Sequence, residues 1–177
     1  MEFLRFPLDN SDELFRKFSE IPGCIHRGEN MEKFIFIKGT RENKVLLAAH
    51  ADTYWDSHYG VINCQPQELS QTEGIIQNKN GGLGADDRAG CATLWLLRHL
   101  GYSLLITKIE TGYTEPNYSS FTDIVTLCRD VCGVNLSIGY QNEHTENESL
   151  DVSAWKNTLS ICRKWLSKDD LPRFFLS

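Results

Sequence analysis

Three short apolar runs, FIFI at 34–37, VLLAA at 45–49 and SLLIT at 103–107, constrain this chain more than any other feature. Each is free of charge; FIFI reads as a strand, and VLLAA and SLLIT read as interior strands covered on both faces of a sheet packed between helices. Helical patterns fall before, between and after these runs. In DELFRKFSEI the residues Leu14, Phe15, Phe18 and Ile21 recur at helical spacing, after the cap formers Asp9, Asn10 and Ser11 and before the stop Pro22-Gly23. AGCATLWLLRHL (89–100) is apolar around most of its circumference, which predicts a buried helix ended by Gly101. FTDIVTLCRDVC (121–132) and Val152 to Ser167 predict two later helices. GIIQ (74–77) and VNLSIG (134–139) predict short strands, and QNEHTENESLD (141–151) predicts a polar loop. This order predicts an α/β protein, a three-layer sandwich with a mixed, largely parallel sheet between helices.

Composition narrows the class. The 177 residues, 41% hydrophobic and 24% charged, suit a single domain over 1–177. With 18 Lys and Arg against 24 Asp and Glu the net charge is −6, which argues against nucleic acid and anionic lipid as partners and leaves cations open. No apolar run approaches the roughly 18 residues of a membrane span, and the N-terminal MEFLRFPLDNSDELF lacks a signal-peptide pattern, so a cytoplasmic protein is expected. The six cysteines are scattered singly and read as reduced thiols in a core. Cys128 and Cys132 could share a helix face, but no second Cys or His pair accompanies them to complete a metal site.

Candidate chemistry gathers beyond the carboxyl ends of strands, where this architecture builds its sites. His50 and Asp52 follow the VLLAA run, Asp86 and Asp87 lie in the loop NGGLGADDRAG, and His144 stands among Glu143, Glu146 and Glu148. Taken singly, each has an ordinary role. His50 reads as a hydrogen-bonded strand-end histidine, Asp52 as a turn former, Asp86 or Asp87 as a helix cap, and His144 as a solvated loop residue. The Gly-rich loop has neither nucleotide-fingerprint spacing nor a Gly-Lys-Ser/Thr, and its adjacent carboxylates repel phosphate while suiting a cation.

Taken together, H-x-D at a strand end, G-A-D-D-x-A-G opening a helix and E-H-T-x-N-E after a late strand resemble the co-catalytic zinc aminopeptidase family. Its zinc exopeptidase fold is shared by bacterial leucyl aminopeptidases, glutamate carboxypeptidases, single-zinc glutaminyl cyclases and inactive receptor ectodomains. The resemblance implies one or two zinc ions, with His50 a terminal ligand of one, Asp86 the bridging carboxylate and His144 a terminal ligand of the other. It further implies Asp52 as the residue that orients His50, and hydrolysis of an N-terminal residue from a peptide by metal-activated water.

The chain departs from the family pattern after SLLIT. There the family has a Glu-Glu pair, base then ligand, and a later strand supplies a further Asp ligand. Here only Glu110 aligns with the pair. In a direct alignment Glu110 is the catalytic base and Thr111 stands at the ligand position. In the favoured alignment a segment near 107–115 is deleted, Glu110 has no catalytic role, and Asp123 is no substitute for the missing Asp. A single-metal site of Asp86, His144 and Glu110 is a third arrangement. The expected function is accordingly a metal-dependent exopeptidase on an incomplete dinuclear site. The alternatives are a catalytically inactive scaffold that binds a protein or peptide, and a deleted product with no selected activity. A missing strand would expose an edge or an apolar face, which predicts a homodimer or an aggregation-prone monomer.

Overall fold

The computed structural model describes residues 2–29, 32–42, 45–55, 67–109, 128 and 132–171. In chain order these form α1 (Asp12–Ser19), β1 (Cys24–Glu29), β2 (Glu32–Ile37), β3 (Leu46–His50), β4 (Leu69–Thr72), β5 (Ile75–Asn78), α2 (Ala85–Leu97), β6 (Ser103–Ile109), β7 (Tyr140–Gln141), β8 (Ser149–Asp151) and α3 (Val152–Leu166). The chain is α/β, and its first sheet is mixed, in the order β1-β2-β6-β3. The β1–β2 and β2–β6 ladders are antiparallel and β3–β6 is parallel. A second sheet, β4-β5-β8-β7, is antiparallel throughout.

The apolar runs and the helices around them set the core. Ile35, Ile37, Leu104, Ile106 and Ala49 are buried together with Leu14, Phe15 and Phe18 of α1 and with Ala89, Cys91, Ala92 and Leu94 of α2. Helix α1 begins where Asn10 Oδ1 accepts the Asp12 N–H at 3.3 Å, so Asn10 serves the helix start while Ser11 makes no side-chain cap. Helix α3 is capped by Asp151, whose Oδ1 accepts from Ser153 N at 2.7 Å and Ala154 N at 3.1 Å. Its Trp155 indole N–H donates to Ala89 O and Thr93 Oγ1, which fastens α3 to α2.

Several elements differ from the sequence expectation. SLLIT is interior, with β2 and β3 on its two sides, but VLLAA forms the last strand of its sheet among the described residues, and Leu46 is 47% exposed. A continuous apolar run shows what a strand tolerates, not how many neighbours it has. VNLSIG forms no strand: residues 132–138 lie outside regular structure, with Val134 and Leu136 exposed and Ile138 buried. GIIQ is the second arm of a hairpin whose loop, Glu73-Gly74, has φ of 52° and 86°, the two positive angles of a type I′ turn. The polar stretch 141–151 is also part of a hairpin, β7–β8, and its turn carries His144. Most of the helix expected at 121–132 lies outside the described residues. Of the described cysteines all are free, with Cys91 and Cys162 buried and Cys132 exposed rather than in the core; Cys64 lies outside the described residues. Among the described residues no helix is long and apolar enough to cross a membrane.

Candidate metal centre

His50 is the last residue of β3, and the parallel ladder continues one step past it, where Ala51 N donates to Thr107 O at 2.7 Å. Its Nδ1 lies 3.0 Å from the Asp52 carbonyl oxygen and its Nε2 lies 3.2 Å from Asp86 Oδ1. The Asp52 carbonyl and an ionised Asp86 both accept, which favours the doubly protonated imidazolium in the metal-free protein. Burial opposes that charge. Hydrogen bonding to the Asp86 carboxylate and the Asp52 carbonyl, with the nearby carboxylates of Asp52 and Asp87, outweighs it and holds the His50 pKa well above the ordinary histidine value.

The second oxygen of the same carboxylate serves the other histidine. Asp86 Oδ2 is 3.1 Å from His144 Nε2. Burial alone would raise the Asp86 pKa, but its bonds to His144 and His50 dominate and hold it well below the usual carboxylate range. The bond to Asp86 likewise raises the His144 pKa, against partial burial. His144 has φ of 64° in the left-handed region, an uncommon conformation for a residue with a side chain. Its turn is held by Thr145, whose Oγ1 donates to Asn142 O at 2.7 Å and accepts from Asn147 N at 3.2 Å. The Tyr54 ring stacks on the imidazole with centroids 5.0 Å apart and planes at 17°.

Glu148 determines where these parts stand relative to one another. It is 2% exposed. Its Oε2 accepts from Leu83 N at 3.1 Å and Gly84 N at 2.6 Å, and its Oε1 accepts from Asp86 N at 3.0 Å. One carboxylate thus ties the hairpin bearing His144 to the loop bearing Asp86. Burial raises the Glu148 pKa, and the three backbone donors partly offset this. Gly84 is required in that loop. Its φ is 66°, and a Cβ there would stand 2.6 Å from Leu8 Cδ2 and 2.8 Å from Thr53 Cγ2.

The adjacent aspartates have separate roles. Asp86 faces the histidines, while Asp87 Oδ1 accepts from Gly90 N at 3.0 Å, an N-cap geometry three residues along, and its Oδ2 faces His50 N at 3.4 Å. The peptide bond between them is cis. Burial raises the Asp87 pKa to about 7, and the charge of Asp86 adds to the effect while that of His50 opposes it.

The structure therefore brings His50, Asp86 and His144 together. Asp52 stands beside them differently from expectation: its backbone carbonyl meets the His50 ring, while its Oδ1 is 3.7 Å from Nδ1 and buried without a hydrogen-bond partner. With only one residue between them, the chain folds back and presents its main chain to the ring first. Glu110, Thr111 and Asp123 lie outside the described residues. Among the described residues no group of three or more His, Cys, Asp or Glu side chains is disposed to hold one metal ion. Sequence reasoning passed over Glu148 and Arg88, because an acidic residue in an acidic loop and an arginine after two aspartates both read as solvated. Only burial distinguishes them.

Three solved peptidase structures are similar to part of this chain. An aminopeptidase PepT from Bacillus cereus shares 18% identity at a TM-score of 0.43, over 60% of this chain and 33% of that one. Aminoacylhistidine dipeptidase from Vibrio alginolyticus shares 17% at 0.44, over 62% and 27%. A tripeptidase from Staphylococcus aureus shares 18% at 0.43, over 60% and 33%. The chain thus spans a third or less of the length of each. No family model and no curated protein matches the sequence.

Proposed function

We propose that this chain is a metal-dependent hydrolase of peptide bonds, an aminopeptidase-like exopeptidase whose zinc is held at Asp86 between His50 and His144. One observation carries the reading. The two oxygens of a single carboxylate face the Nε2 atoms of two different histidines, at 3.2 and 3.1 Å. Two ligands about 2.0–2.1 Å from a tetrahedral zinc ion stand roughly 3.3 Å apart, so each nitrogen–oxygen pair has the spacing of two ligands on one ion. The donor types fit as well, since zinc takes imidazole and carboxylate together and a shared anion offsets the repulsion of two cations.

The Asp52 carbonyl contributes by fixing the His50 ring so that Nε2 faces the metal position. Tyr54 does the equivalent for His144 by stacking on it. A zinc ion bound there would supply an acidified water and polarise the scissile carbonyl. In the direct alignment with the family pattern, Glu110 is the base that would carry the proton to the leaving amine; in the alignment with a deleted segment that role has no candidate. Each ion would take two protein donors from the described residues, fewer than the usual three of a catalytic zinc, so weak binding is part of the reading. Calorimetric titration of the metal-free protein with zinc tests it. Saturable binding that Asp86→Ala abolishes, with turnover of aminoacyl anilides in the loaded protein, is expected. Absence of zinc binding by the unaltered chain would overturn it.

A further inference from the structure

The N-terminal segment has no part in the chemistry proposed above, yet it touches both loops that deliver the candidate ligands. Arg88 follows the two aspartates by one residue and is fully buried. Its guanidinium donates to the carbonyls of Phe6 and Pro7, and to that of Asn10 at 3.2 Å. These are irregular backbone groups with no ladder to satisfy them, and a planar fork of donors can reach several of them at once, which a lysine cannot. From the other side, Thr53 Oγ1 donates to Leu8 O at 2.8 Å. Leu8 itself is buried, and its side chain lies against Gly84 in the loop that carries Asp86. Residues 6–10 are thus bonded to the loop after His50 through Thr53, and to the Asp86 segment through Arg88.

We propose that residues 6–10 are a strap that sets the separation of the His50 and Asp86 loops, with Arg88 and Thr53 as its positioning residues. The inference concerns how the side chains are brought together and holds whether or not zinc binds. The polar cost of burying an arginine supports it. A buried guanidinium is retained only where its donors are used, and here its two terminal nitrogens are spent on the irregular segment between the buried Phe3 and Leu4 and helix α1. Loop separation matters because the nitrogen–oxygen contacts at Asp86 tolerate little displacement before they cease to be hydrogen bonds.

The test uses the full chain without metal. Thr53→Val keeps the methyl beside Gly84 and removes the hydroxyl, which donates to Leu8 O and also accepts from Trp55 N at 3.2 Å. Amide hydrogen exchange is expected to quicken about fivefold in residues 83–88, on the far side of the strap, as well as in 51–55, with β6 unchanged. The imidazole resonances of His50 and His144 are expected to shift while those of His26 and His99, outside the site, stay in place. Arg88→Lys should produce the same pattern at about tenfold or more. If Arg88→Lys does not fold, Thr53→Val decides alone. Exchange confined to 51–55, an equal rise everywhere including β6, or unmoved His50 and His144 resonances would each overturn the strap.

Discussion

His50 and His144 reach the same carboxylate from dissimilar foundations. His50 ends a strand and is pinned by a carbonyl two residues on, with its side chain 24% exposed. His144 occupies the turn of a hairpin, 43% exposed and with a positive φ, and its place is set by Glu148 four residues later and by the face of Tyr54. The first arm is built from local chain direction and the second from contacts between segments distant in sequence. Damage to the second arm should therefore travel between segments, and damage to the first that leaves the strap of residues 6–10 intact should stay close to β3 and α2.

The largest expected effect is on the His144 arm. Glu148→Ala leaves three backbone N–H groups without their acceptor and is expected to lower stability by about 3–5 kcal/mol, read from urea unfolding. It should also free His144 from Asp86. A loss below about 1 kcal/mol would mean that water replaces the carboxylate and that the two arms are independent.

Next comes pH, which tests the His50 arm. Asp87 keeps its proton in the fold up to about pH 7, whereas an ordinary Asp loses it near 3.8, so its share of stability falls as pH rises between those values. His50 and His144 have pKa values raised above 6.5, so their contribution is complete below pH 6.5 and is lost as pH rises through the raised values. Asp86 acts oppositely, since its lowered pKa gives stability present above 3.8 and lost on further acidification. The metal-free protein should be most stable near pH 4–5, by the sum of these shifts, and its urea midpoint should fall steadily toward pH 9. A midpoint that rises over this range would contradict the imidazolium assignment. Zinc affinity should show the reverse trend, because the metal must displace those protons.

A smaller effect separates the arms further. Gly90→Ala would put a Cβ 2.1 Å from Asp87 Oδ1, and is expected to cost about 1–3 kcal/mol in the same assay while leaving the His144 resonances in place. Smallest is Tyr54→Ala, at about 0.5–1.5 kcal/mol, with the His144 resonances shifted and those of His50 unmoved.

Much of the fold was legible. The helices at 12–19, 85–97 and 152–166 follow from apolar spacing and flanking polar residues, and FIFI, VLLAA and SLLIT are strands. What periodicity could not give was the second sheet. Its strands are two to four residues long, too short to show alternation, and one of its turns is Glu-Gly rather than the Asn-Gly or Asp-Gly that signals a type I′ hairpin. At the site, the conjunction of His50, Asp86 and His144 in chain order identified the side chains that meet. The resemblance named Asp86 and gave Asp87 no part in the site, but it could not say that Asp87 would cap α2 and face His50 N, nor that Asp52 would present its carbonyl.

The sequence by itself determined which groups could meet. It holds a histidine at the end of an apolar strand, two aspartates after a run of glycines, and a histidine in a late acidic loop, and these are properties of residue type and local order. Only the tertiary structure decided how they meet. The division of labour between Asp86 and Asp87, the clasp of Glu148 on three backbone amides and the burial of Arg88 against the N-terminal segment all depend on contacts across 36 to 82 residues. A charged side chain in isolation prefers water. It becomes structural only when packing removes the water and leaves particular backbone groups as its partners, and no local pattern in the sequence records that exchange.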